Sequence, residues 1–231
     1  SSAFTLHSKP GATRIMFLDF DGHTITNTAW NDSNGVSSWE AQAFDTDGNA
    51  DTFSTGESDA IKSIWRRVAE DYAPFNVDVT TQQPSSFNAN VGRVLITPGT
   101  DKNAVLLPYG NAAGGIAYVG VWGLSEFPSY YSPAFVYSDM LADNASYIAE
   151  AASHEAGHNL GLSHDGTASQ GYYGGHGSGY ISWGPIMGTG YGRHVSQWSK
   201  GEYSGANNKE DDVAIISNSL PRRADDHGNT I

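Results

Sequence analysis

Residues 14–20 (RIMFLDF) form a dense run of apolar β-formers and predict a strand. The polar stretch 23–55 has no clear period. From 57 to 72 the pattern turns helical, with Ile61, Ile64, Trp65, Val68 and Ala69 at three- and four-residue spacing. Ser54 or Thr55 stands where a cap belongs, and Pro74 closes the helix. The segment 75–81 (FNVDVTT) alternates as a strand, and 93–97 (RVLIT), 115–121 (GIAYVGV) and 134–138 (AFVYS) predict three more. A long helix follows over 144–162, carrying Ala149, Ala151, Ala152, Ala156 and Leu160. Residues 166–192 hold ten glycines and predict loops shaped by tertiary contacts. A last helix is predicted over 207–220, with Val213, Ile215 and Ile216 facing inward. Trp30, Trp39 and Trp65 are expected in the core. The order of elements suits an α/β fold of the α+β type, a mixed sheet backed by helices.

The chain of 231 residues suffices for one domain, or two small ones, with a sizeable core. Its longest apolar runs fall far short of the ~20 residues of a membrane span. An aromatic content of 12% excludes a disordered tail. Twelve Lys and Arg against 25 Asp and Glu give a net charge of −13, which argues against a nucleic-acid partner and favours solubility. The absence of cysteine removes disulfides, thiol nucleophiles and thiolate-bound zinc. Seventeen of the acids are Asp, and Gly is abundant at 27. Such a composition, poor in Lys, suggests a secreted bacterial protein. Ser1 opens the chain without a signal peptide, so a removed leader or a trimmed chain is expected. A monomer is the expected state.

The strongest chemical signal is the run from His154 to Asp165, HEAGHNLGLSHD. On a helix, positions i and i+4 lie ~40° apart around the axis and ~6 Å along it. His154 and His158 can therefore face one metal ion from successive turns, while the Glu155 carboxylate can reach a water on that ion. Gly161 permits the left-handed conformation that ends a helix, so the chain can return His164 as a third ligand. Three neutral imidazoles suit zinc and leave its fourth position to water. H-E-x-x-H alone arises by chance in roughly a few per cent of chains this long. With Gly161, His164 and Asp165 in place, coincidence falls to the order of one in 10⁵ and is set aside.

This segment resembles the metzincin metallopeptidases, whose signature continues as H-x-x-G-x-x-H. Asp165 after the third histidine is similar to the adamalysin (reprolysin) branch. Pro185-Ile186-Met187-Gly188 resembles the Met-turn beneath the zinc of these enzymes, and Met187 comes 23 residues after His164. Gly115, Ile116, Ala117 and Tyr118 open a stretch similar to the edge strand that binds substrate. The resemblance implies a catalytic domain over 1–220, with a mixed, mostly parallel twisted sheet, a long active-site helix, a Met-turn and a C-terminal helix. It leaves 221–231 as a linker. Adamalysins carry disulfides and this chain has none; a Cys-free bacterial branch is expected. The tail from Arg223 to Thr230 is similar to the lead-in of a pre-peptidase C-terminal domain.

The resemblance implies a secreted, extracellular zinc endopeptidase acting on protein or peptide substrates, with Glu155 as general base. The primed-side substrate residue would enter a pocket walled by residues 184–191. Astacins and serralysins place a Tyr two residues after the Met-turn methionine, where it stabilises the oxyanion. Tyr191 comes four residues after Met187, with Gly188 and Gly190 between. Its ring either serves that role or only lines the substrate pocket.

Three further features carry alternatives. Asp45, Asp47, Asn49 and Asp51 place oxygen ligands at alternate positions, which suits calcium, although the spacing departs from the EF-hand; a solvated Asx-rich turn is the other reading. Asp19-Phe20-Asp21-Gly22 resembles the nucleophile motif of haloacid-dehalogenase phosphatases. His23 stands where that family has Thr or Val, and Lys209 is too close to Asp211 and Asp212 to complete the set. His176 and His194 read as exposed loop histidines. A zinc-binding module that recognises peptides without cutting them is the remaining alternative, and Glu155 argues against it.

Overall fold

Strands β1 (Ile15–Asp19), β4 (Asp78–Thr80), β5 (Val91–Thr97), β6 (Gly115–Ile116) and β7 (Ala134–Tyr137) make the central sheet, in the order β4-β1-β5-β7-β6. The first four are parallel, and β6 is an antiparallel edge strand. The computed structural model describes residues 2–224. Every residue of β5 and β7 is buried, as expected of parallel strands covered on both faces. This mixed, mostly parallel sheet with its long helices matches the expected fold class.

Helix α2 (Thr55–Asp71) starts in a capping box: the Ser54 hydroxyl accepts from the Glu57 N–H, and the Glu57 side chain accepts from the Ser54 N–H. Its stripe of Ile61, Ile64 and Val68 is fully buried. Trp65 is half-buried and donates to the Val79 carbonyl. Helix α3 (Ala145–Asn159) is capped by Asn144 and buried along its last two turns. Its alanines let α2 and the sheet approach closely, and the Tyr72 hydroxyl donates to the Ser153 carbonyl across the α2–α3 contact.

Several elements depart from the sequence expectation. The stretch 23–55 contains an antiparallel pair, β2 (His23–Thr26) with β3 (Ser38–Ala41), joined through helix α1 (Ala29–Asn34). These pieces are short, and they bury Ile25, Trp30 and Trp39 in a second core cluster. The predicted strand 115–121 stops after Ile116. Beyond it the backbone turns through Gly120 (φ 70°) and bonds to the end of α3: Gly120 N–H to His158 O and Trp122 N–H to Asn159 O. Ala117 and Tyr118 therefore lie past the edge strand. Strand 75–81 contracts to β4.

The glycine-rich segment contains β8 (Trp183–Pro185), which pairs in parallel with β9 (Val195–Gln197). The last helix, α4 (Asp212–Ser217), is less than half the expected length and starts on its cap Asp211. Of the predicted linker, Arg222 bridges Phe75 and Arg223 donates to the Pro74 carbonyl. The rest of the linker and of the tail motif, from 225 onward, lies outside the described residues. No helix among the described residues is long and apolar enough to cross a membrane.

Candidate metal centre and active site

Helix α3 carries His154 and His158 to its C-terminal end, and a Schellman turn brings the chain back. Leu162 N–H bonds Gly157 O, Gly161 N–H bonds His158 O, and Gly161 has φ 105°. His164 then joins the pair, and the three histidines each offer a ring nitrogen within 4.8 Å of the others. The other ring nitrogens are committed. His154 Nδ1 is 2.8 Å from the Ile186 carbonyl, and His158 Nδ1 is 2.8 Å from that of Leu162. A carbonyl oxygen only accepts, so each Nδ1 carries the proton and each Nε2 keeps its lone pair. The turn that ends the helix thereby also fixes a ligand tautomer. His158 Nε2 and His164 Nε2 face each other at 2.9 Å. Burial pushes the His154 and His158 imidazoles down to about 3 and about 4, and lowers His164 as well. Neutral imidazoles with convergent lone pairs are the donor set that zinc takes.

Glu155 is buried, and its Oε2 has no hydrogen-bond partner among the described residues. Burial raises its carboxyl to about 8. It lies against the edge strand: a Cβ on Gly115 would fall 2.7 Å from Glu155 Cγ. An orphaned carboxylate oxygen beside three convergent imidazoles fits a metal with water on it.

Beneath the histidines, Gly188 N–H bonds Pro185 O to close the turn that holds Met187. Met187 is fully buried, and its Sδ would lie 2.8 Å from a Cβ on Gly157. Asp165 N–H donates to the Met187 carbonyl, tying the third histidine to this turn. Tyr191 packs edge-on against Tyr147, with its hydroxyl 3.6 Å from where a Cβ of Gly114 would stand. Tyr172, absent from the sequence candidates, places its ring 4.3 Å from that of His164. No periodic pattern marks it, because the segment folds back through irregular hydrogen bonds such as Thr167 N–H to Gln170 O and Tyr173 N–H to Asp165 O.

Asp45, Asp47 and Glu57 bring carboxylate oxygens within 4.8 Å of one another and Asp51 does not join them, while the Asn49 N–H donates to Asp47 Oδ1. Asp45 accepts from the N–H groups of Asp47, Gly48 and Asn49, as in an Asx turn. His176 packs on Trp183 and His194 on Tyr180, away from the three histidines. Asp19 is fully buried and paired with Arg93, so it is closed to a substrate as a nucleophile.

Residues 25–165 match the family described as Metallo-peptidase family M12B Reprolysin-like. A comparison with curated proteins finds no match.

Proposed function

The chain belongs to the reprolysin-like metallopeptidases of family M12B, and from that premise we propose that it is a secreted, extracellular zinc endopeptidase of a Cys-free bacterial branch. His154, His158 and His164 would hold the metal. The observation that carries the reading is their convergence beside the unpartnered carboxylate of Glu155. When bound, zinc supplies Lewis-acid polarisation of the scissile carbonyl and lowers the pKa of a coordinated water.

The protein's own groups do the rest. Glu155 takes the proton of the attacking water on its buried carboxylate and returns it to the leaving nitrogen. Burial alone raises its carboxyl to about 8, and a dication held by the neighbouring histidines acts in the opposite direction. The edge strand Gly115–Ile116 aligns an extended substrate by main-chain hydrogen bonds, as an added strand. Met187 supports the histidines from below, and the chain after it walls the primed side of the cleft. Digestion of a peptide library with and without a zinc chelator tests the reading. Chelator-sensitive internal cleavage supports it, and cleavage indifferent to the chelator refutes it.

A further inference from the structure

Two adjoining cavities of about 490 and 280 Å³ lie between α2, α3 and the segment that follows the Met-turn. They share Arg67, Ser146, Glu150, His194 and Ser196. Neither is lined by the three histidines or Glu155, but both adjoin that site through residues of their walls. Glu150 lies one helical turn before His154, and Ile186, in the wall of the larger cavity, is the residue whose carbonyl orients His154. Tyr191, in the wall of the smaller one, reaches Gly114 beside the edge strand.

The larger cavity combines an apolar wall of Pro74, Ala149, Ile186, Trp198 and Val213 with two inner carboxylates, Glu150 and Asp71. Glu150 Oε1 is buried and without a hydrogen-bond partner. Asp71 accepts from the Ser153 hydroxyl at 2.6 Å. Neither carboxylate has an ion-pair partner among the described residues. Arg67, exposed in the wall of both cavities, attracts both carboxylates without forming an ion pair, and the Arg193 guanidinium is engaged by the carbonyls of Gly174 and Gly177. Gly190 keeps the way to Glu150 open, since a Cβ there would lie 3.2 Å from Oε1.

We propose that this cavity is the primed-side specificity pocket and that it takes a cationic side chain, arginine or lysine, with Glu150 receiving the charged head. The proposal rests on the peptidase reading above. Long cationic side chains lay their methylenes along apolar walls and keep the charged end for a polar partner. A guanidinium matches a carboxylate with two parallel hydrogen bonds. A neutral side chain in the same pocket would leave the buried Glu150 oxygen unpaired, and such unpaired groups are what make a polar pocket selective. Burial raises both carboxyls to about 7, and a cation among them would act the other way.

The test measures cleavage of matched peptides with Arg, Lys or Leu on the primed side of the scissile bond, by wild type and Glu150→Gln. Calorimetric titration of both with butylguanidinium is run alongside. Wild type should cut before Arg or Lys at least about tenfold faster than before Leu, and the substitution should erase that ratio. Butylguanidinium should bind wild type and not the variant. Equal cleavage of the three peptides, or a ratio that survives in Glu150→Gln, overturns the pocket assignment and leaves the peptidase reading standing. If no peptide is cut, the peptidase reading fails and calorimetry alone decides the pocket: binding abolished by the substitution upholds it, and no binding to wild type overturns it.

Discussion

Gly115 and Glu155 pack so closely that no side chain fits between them. A Cβ at 115 would lie 2.7 Å from Glu155 Cγ, 2.8 Å from its Oε1 and 2.7 Å from the Phe135 carbonyl. The strand edge and the candidate base are set against each other by the missing Cβ, so in the proposed reaction substrate alignment and proton transfer would share one contact. Gly115→Ala should displace Glu155 and lower kcat at least roughly tenfold, because small misplacements of reacting groups are costly. Bound zinc, measured by metal analysis, should be unaffected. An alanine variant with wild-type kcat would show that the carboxylate has room to move.

Glu155→Gln should retain zinc and lose on the order of 10²–10⁴-fold in activity, the usual contribution of a general base. Rate assays on the zinc-loaded variant check this. Retention of a tenth of the wild-type rate would remove Glu155 from the reaction.

His164→Ala should weaken zinc binding far more than His176→Ala or His194→Ala, because among the described residues only His164 joins the other two histidines. Competition with a chromogenic chelator measures all three. Equal losses would mean that the third ligand lies elsewhere.

At the N-terminus, His7 is raised above its usual value by its hydrogen bond to Gln82, with Asp78 adding to the effect and burial opposing it. A raised histidine stabilises the fold fully below its unfolded value of about 6.5 and loses that contribution as pH climbs through the folded value. The melting temperature of wild type should therefore exceed that of His7→Asn most at pH 6, with the gap narrowing toward pH 9. Thermal melts across that range check the sign, and a gap that widens with pH would contradict it.

Tyr191→Phe should lower kcat about 10–10³-fold with KM nearly unchanged if the phenol stabilises the developing oxyanion. Kinetics within about twofold of wild type would leave the ring as a wall of the cleft. Tyr172→Phe is the informative comparison, since the Tyr172 ring is the one that faces His164.

What was legible in the sequence is what short-range geometry governs. His154 and His158 share a helix face because of the 3.6-residue period, and Gly161 supplies the positive φ that returns His164. Ser54 and Glu57 cap α2 three residues apart. The buried parallel strands stand out as apolar runs. The tertiary structure decided where free backbone groups found partners. Residues 117–121 read as strand, yet the carbonyls at the end of α3 capture Gly120 and Trp122 and cut the edge strand to two residues. The carboxylates of Asp45 and Asp47 are joined by that of Glu57 rather than that of Asp51, because the start of α2 folds back over that turn. Glu150 and Asp71 share one cavity because α2 and α3 pack together, and Tyr172 reaches His164 across the seven intervening residues 165–171. Periodicity reports which face of an element is apolar. It carries no information on which distant element will cover that face, and the cavity shared by α2 and α3 depends on that second choice.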